Sequence, residues 1–300
     1  MRIKKRVPFV TSIAIVSLLL GGCGMTEKKK EDSESSYYTP VQDYDGKAVE
    51  LPNGTEMSEF AKTHRKEVSD AALRYFNKKY KIKNAKITNL VGAEDAVVAH
   101  ISSDQLPTFY TSVIVFVKNG VVNHVNELEG NVESAIMSGI YVKAYEKEFQ
   151  NLENFCKKMT EKYPVVGMRE DAIQRVFDSG VVRPFFRVNI LKIDAPATYD
   201  SFMKNPLMTS GELRIEIEEE LKANDPQIAL TFFMKKKHSP PDEKLGQQII
   251  QDFKQNKYYP PGRYAVLLSS NEILKDKGDG KSYKGTQLGI DEIQVDIKGR

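Results

Sequence analysis

Side chains able to do nucleophilic, acid–base or metal chemistry are thinly scattered through these 300 residues. The four histidines, His64, His100, His124 and His238, stand in no metal-ligand spacing, and no cysteine pair completes a zinc set. His64 recurs among apolar residues at helical spacing, which predicts a core or boundary residue. A histidine beside a carboxylate in a cleft would mark an acid–base site, with His64, His100 and His124 as the places to look. Ser201-Phe-Met-Lys204 matches the Ser-x-x-Lys pattern of penicillin-recognising enzymes, and Ser269-Ser-Asn271 matches their Ser-x-Asn. Their third element, Lys-Thr-Gly or Lys-Ser-Gly, is missing. Asp276-Lys-Gly-Asp279-Gly280 lacks the alternating ligands and the twelfth-position Glu of a calcium loop, and reads as a solvated turn. Glu212–Glu220 is a carboxylate-rich run in which no catalytic pair stands out. Cys156 sits in a helical pattern, Phe149-Gln-Asn-Leu-Glu-Asn-Phe-Cys156, and reads as a small buried hydrophobe. The expectation is therefore no metal and no cofactor.

Cys23 is different, because its surroundings specify a reaction. Arg2, Lys4, Lys5 and Arg6 make a basic start, and Val7 to Leu20 form an apolar run of 14 residues. That run is shorter than the roughly 20 residues a spanning helix needs, and fits an export signal. Leu20-Gly21-Gly22-Cys23 then has the form of a lipobox: an aliphatic residue, two small ones for a narrow protease groove, and a thiol that accepts diacylglycerol. The reading predicts cleavage after Gly22 and lipidation, palmitate included, at Cys23. Two acyl chains at about 0.8 kcal/mol per buried methylene anchor stably where one is marginal. With Cys23 lipidated, Cys156 has no intrachain partner for a disulfide.

Loss of residues 1–22 leaves 40 basic against 41 acidic side chains, a net of −1, which excludes the strong basic excess usual for nucleic-acid binding. Trp is absent, which counts weakly against a large sugar-stacking platform, although Tyr and Phe, at 14 each, could still build one. Residues 24–39 are polar and charged, and predict a tether with a reach of roughly 20–25 Å.

The elements that must position any site read as follows. Ser58 is a plausible N-cap for a helix to about Lys79, and Ala85–Val91, Ala96–Ser102 and Phe109–Lys118 read as strands. Asn119-Gly120 predicts a hairpin pairing Thr111–Lys118 with Val121–Asn126. One long helical region covers Val132 to Met159 and ends at Tyr163-Pro164. Short helices are expected at Glu170–Phe177 and Pro196–Met203, and a longer one at Pro241–Asn256. Strands are expected at Pro184–Ile193, Ile228–Met234, Arg263–Leu268 and Gln287–Ile297, while Leu213–Ile217 fits strand or helix. The fold class is α+β: mostly antiparallel sheets with packed helices, in two consecutive units. The division is signal 1–22, lipidated Cys23 and tether 23–40, first unit 41–128 and second unit 129–300.

Several stretches together resemble a known family. They include Val41-Gln-Asp-Tyr-Asp-Gly46, Leu51-Pro-Asn-Gly54, Ala61-Lys-Thr-His-Arg65, Asn89-Leu-Val-Gly92, Phe109-Tyr-Thr111, Val132-Glu-Ser-Ala-Ile136, Gly139-Ile-Tyr141, Tyr163-Pro-Val-Val-Gly167, Asn205-Pro206 and Pro261-Gly-Arg-Tyr264. The chain resembles an uncharacterised family of lipoproteins of low-GC Gram-positive bacteria, classed as a domain of unknown function. The resemblance implies a cell-membrane anchor on the extracytoplasmic face and supplies no activity or catalytic residue. The leading expectation is a non-enzymatic binding or interaction module at the cell surface, held to the membrane by its lipid and meeting a protein or cell-wall partner. The alternatives are a ligand-capturing lipoprotein that feeds a transporter, and an envelope enzyme with a dispersed site. The transporter reading needs a pocket between the two units, with Tyr37, Tyr38, Tyr258 and Tyr259 as candidate lining.

Overall fold

The computed structural model describes residues 37–177, 179–221, 226–256, 258–276 and 284–295. Cys23, Leu20, Gly21 and Gly22 lie outside the described residues, as do residues 24–36 of the tether and 277–283 of the Asp/Gly turn. The last tether residues are folded: Tyr38–Pro40 form strand β1.

Helices α1 (Thr55–Thr63) and α2 (Arg65–Tyr80) replace the single helix expected from Ser58, and α1 starts at a Gly54 cap. The break falls at His64. Thr63 Oγ1 donates to the carbonyls of Glu59 and Phe60, a back-bond that bends helices. Strands β2 (Ala85–Ala93), β3 (Ala96–Ser103), β4 (Phe109–Lys118) and β5 (Val121–Asn126) pair consecutively and antiparallel. Asn119 and Gly120 both have positive φ, 53° and 72°, as the expected tight hairpin demands, and Lys118 faces Val121.

The long helical stripe is two helices, α3 (Asn131–Ala144) and α4 (Glu146–Lys162), redirected at Tyr145. α3 is buried nearly all round, so its apolar residues form no single stripe; α4 buries one face, from Phe149 to Met159. There follow β6 (Val165–Val166), α5 (Glu170–Val176), β7 (Val181–Val182) and β8 (Phe186–Asn189). β8 is shorter than the strand expected over Pro184–Ile193, because Lys192–Asp194 turn into a 3-10 helix. Next come α6 (Pro196–Lys204) and α7 (Ser210–Glu220). A reciprocal cap decides α7 as helix: Glu212 N donates to Thr209 Oγ1 (3.2 Å), and Thr209 N to Glu212 Oε2 (2.7 Å). The chain closes with β9 (Gln227–Met234), α8 (Glu243–Lys254), β10 (Gly262–Ser269), β11 (Glu272–Leu274) and β12 (Thr286–Val295).

The second sheet has the order β12-β10-β9-β8-β7, with β6 also on β9. β9 and β10 run parallel, joined through α8; every other pair in it is antiparallel. β1 pairs with β11 as a separate ribbon. The fold is α+β, as the sequence predicts. One cluster of buried side chains runs from Met57 on α1 to Leu268 on β10, so both sheets share a core. A smaller cluster, including Val41, Ile173, Val176, Phe233 and Ile273, seals the N-terminal segment and α5 against the second sheet.

Candidate functional site

The two sheets meet along β4. Its C-terminal half pairs with β5, beginning at Ile114 opposite Asn126. Nearer its start, Tyr110 bridges Gly180, with Tyr110 N donating to Gly180 O at 2.8 Å. That bridge joins the sheets at one residue only. Beside it they diverge and leave a cleft of about 210 Å³.

The cleft draws on both sheets and on α5. Lys86 comes from β2, Ser102 and Ser103 from β3, Tyr110 from β4, Glu170 and Gln174 from α5, and Arg183 from the turn after β7. Phe109, Ile173, Val181 and Val182 supply apolar lining. Lys86 is ion-paired with Asp104, whose other oxygen accepts from Ser102 Oγ at 3.4 Å. Arg183 donates to Thr108 Oγ1 (3.2 Å), and its Nε lies 3.6 Å from Glu153 Oε1. Burial pushes the Tyr110 phenol above its ordinary pKa, the charges of Asp104 and Glu170 push the same way, and Arg183 opposes them. The phenol therefore stays protonated at neutral pH and is available as a hydrogen-bond donor. Two cations, two anions and several hydroxyl and amide groups converge on a space far smaller than a drug-sized pocket. Such a surface can orient a small polar ligand by charge at both ends. Ser103 Oγ donates to Gln105 O at 3.0 Å, and the lining contains no His or Cys.

The residues singled out in the sequence lie elsewhere. His64 is exposed at the α1–α2 break, stacked on Phe60, contrary to the core or boundary position its spacing predicts. The helix bends there and turns it outward. His100 is buried within β3, and His124 is exposed on β5 and stacked on Phe116. The histidine that does meet a carboxylate is His238, with Nδ1 3.0 Å from Glu272 Oε1. Cys156 is fully buried in α4, and burial pushes its thiol well up. Ser201 and Lys204 lie on α6, whereas Ser269 ends β10 and Asn271 precedes β11. The tyrosines do not line one pocket. Tyr259 is buried against Phe253 near the start of β10, and Tyr38 lies on β1, which pairs beyond the other end of that strand. Among the described residues, no group of three or more His, Cys, Asp or Glu is placed to hold a metal. No described helix is long and apolar enough to cross a membrane.

The cleft residues escaped motif reasoning because they share no local spacing. The one signal was Phe109-Tyr-Thr111, a resembling stretch that contains Tyr110.

A model of a protein family of unknown function, DUF1672, matches residues 31–296. The chain belongs to that family. A DUF1672 family protein from Staphylococcus aureus subsp. aureus Mu50, solved by crystallography, has the same fold. It superposes with a TM-score of 0.72 at 19% identity, over 87% of this chain and 98% of that one. No curated protein matches the chain.

Proposed function

We propose that this DUF1672 protein is a lipid-anchored module on the extracytoplasmic face of the cell membrane, and that it binds a small polar ligand in the inter-sheet cleft without transforming it. The observation that carries the binding role is the convergence of Arg183, Lys86, Asp104, Glu170 and Tyr110 on one space between the sheets. Lys86, Asp104 and Arg183 are already paired or hydrogen-bonded within the protein, which holds them in place for recognition. Anchoring is supported by the order of basic start, apolar run and lipobox ending at Cys23.

Two measurements test the reading. Mass spectrometry of the native protein is expected to find an acylated N-terminal cysteine at residue 23, and Cys23→Ala is expected to abolish that modification. An unmodified Cys23 in the native product sinks the anchor. For the cleft, amide chemical shifts are followed while free amino acids, dipeptides and monosaccharides are added. Shifts should cluster around Tyr110, Gly180 and Arg183, and Arg183→Ala should weaken binding by about tenfold or more, the loss of one charge-assisted contact. Shifts confined to other surfaces would remove the cleft from consideration.

The cleft also lies between the two units, the position required of a ligand-capturing lipoprotein that supplies a transporter. Recovery of a permease with the lipidated protein, and not with Cys23→Ala, would favour that version.

A further inference from the structure

We propose that the end of the domain where the tether enters lies flat against an anionic bilayer, with Lys235, Lys236 and Tyr37 as its contacts. The proposal rests on the lipid-anchor reading and adds an orientation to it. Thirteen residues separate Cys23 from Tyr37, a span of at most about 50 Å when fully extended and nearer 20 Å on average for a flexible chain. The entry point is therefore the part of the domain held closest to the lipid.

That entry point is rigidly tied to a basic loop. β1 pairs with β11, and Lys275 N donates to Tyr37 O at 2.9 Å. Gln42 Nε2 donates to Lys235 O (2.7 Å), Asn271 Nδ2 donates to Gln42 Oε1 (2.8 Å), and Lys237 Nζ lies 2.7 Å from Asp43. The loop so held is Lys235-Lys-Lys-His238, exposed throughout, as the chain leaves β9. Asp43 neutralises Lys237, and Glu272 faces both His238 and Lys284. Lys235 and Lys236 have no ion pair among the described residues and point their charge at solvent. Tyr37, 60% exposed, stands at the same end, and an amphipathic phenol suits the headgroup layer.

An anionic surface attracts the exposed Lys235-Lys236 loop, so its field acts at the same end of the domain that the tether holds.

The test uses the lipidated protein in vesicles of phosphatidylcholine, with or without phosphatidylglycerol, and follows acylation of individual lysines by mass spectrometry. Flotation with the neutral vesicles reports the anchor alone. Adding phosphatidylglycerol at 0.1 M salt should slow acylation of Lys235 and Lys236 about fivefold or more, the effect of one lysine near such a surface. Lys157 on α4 should be unaffected, and 0.5 M salt should restore the rate. The Lys235→Glu/Lys236→Glu protein should still float, and its Lys237 should show no lipid-dependent protection. A protein that floats but shows the same footprint in both lipids overturns the orientation and leaves the anchor standing. One that fails to float overturns both. Equal protection by soluble polyphosphate with neutral vesicles would make the partner a free polyanion, and would also overturn the proposal.

Discussion

Cys156 illustrates how environment decides what a reactive residue can do. A thiol needs ionisation and access to act as a nucleophile, and this one has neither. It is fully buried in α4, and burial holds its pKa well above the ordinary value. If Cys23 carries the proposed lipid, Cys156 is the one remaining thiol of the sequence's two cysteines. The native protein at pH 8 should therefore resist iodoacetamide for hours, while the same protein in 8 M urea alkylates fully. Rapid labelling of the folded protein would contradict the packing around α4. Cys156→Ala should cost about 1 kcal/mol in a urea titration, through lost contact and a small cavity. By contrast, the exposed histidines at 64 and 124 stack on Phe60 and Phe116, and for His64 the spacing among apolar residues reflects that ring contact and not a core position.

At the scale of elements, close approach of backbones sets the most severe constraint. α1 lies on the end of β2 because Gly54 and Gly92 meet there. A Cβ on Gly92 would fall 2.2 Å from Gly54 O and 2.2 Å from Ser58 N, with backbone on both sides and no flexible side chain to yield. Gly92→Ala should therefore lower stability by about 3 kcal/mol or more, beyond ordinary overpacking. Its measurable signature is a clear drop in the thermal midpoint, and an unchanged midpoint would show that α1 does not seat on β2 as described. Both glycines fall within stretches that carry the family resemblance, but nothing in either stretch says that they touch. The same limit governs the rest of the fold. Asn119-Gly120 announces its hairpin because the turn's dihedrals demand those residues. α8 is announced by Pro241, and in the structure Asp242 caps it, its side chain accepting from Leu245 N at 3.0 Å. β1 and β11 were illegible, since three-residue strands have no periodicity and pair across most of the chain. β6 and β7, at two residues each, are shorter still. The cleft was illegible for a related reason: Lys86, Tyr110, Glu170 and Arg183 meet only after both sheets have formed.

The two large sheets touch at the Tyr110–Gly180 bridge and bury their side chains in one continuous core. That core contains an unusual number of phenols held away from water. Tyr80, Tyr145, Tyr199, Tyr259 and Tyr264 all have pKa values raised above the ordinary range, chiefly by burial. Nearby carboxylates reinforce the shift at Tyr80, whose hydroxyl donates to Glu127 Oε1 at 2.5 Å, and at Tyr145, which donates to Glu218 Oε1 at 3.2 Å. The direction of linkage follows from proton counting. Below about pH 10 the phenols are protonated in both folded and unfolded chains, and stability does not depend on them. Above it the unfolded chain releases those protons while the fold retains them, so stability falls as pH rises toward the folded values. Cys156 adds to the loss from about pH 8.5 upward. Urea midpoints should hold steady from pH 6 to 8, decline above 9 and fall steeply beyond 10. Because one core serves both sheets, far-UV circular dichroism should be lost in a single transition that coincides with the last rise in phenolate absorbance at 295 nm, the one the buried phenols contribute. Ionisation of those five phenols near pH 10 with circular dichroism unchanged would mean that water reaches them in the native state, and two separated transitions would mean that the sheets fold independently.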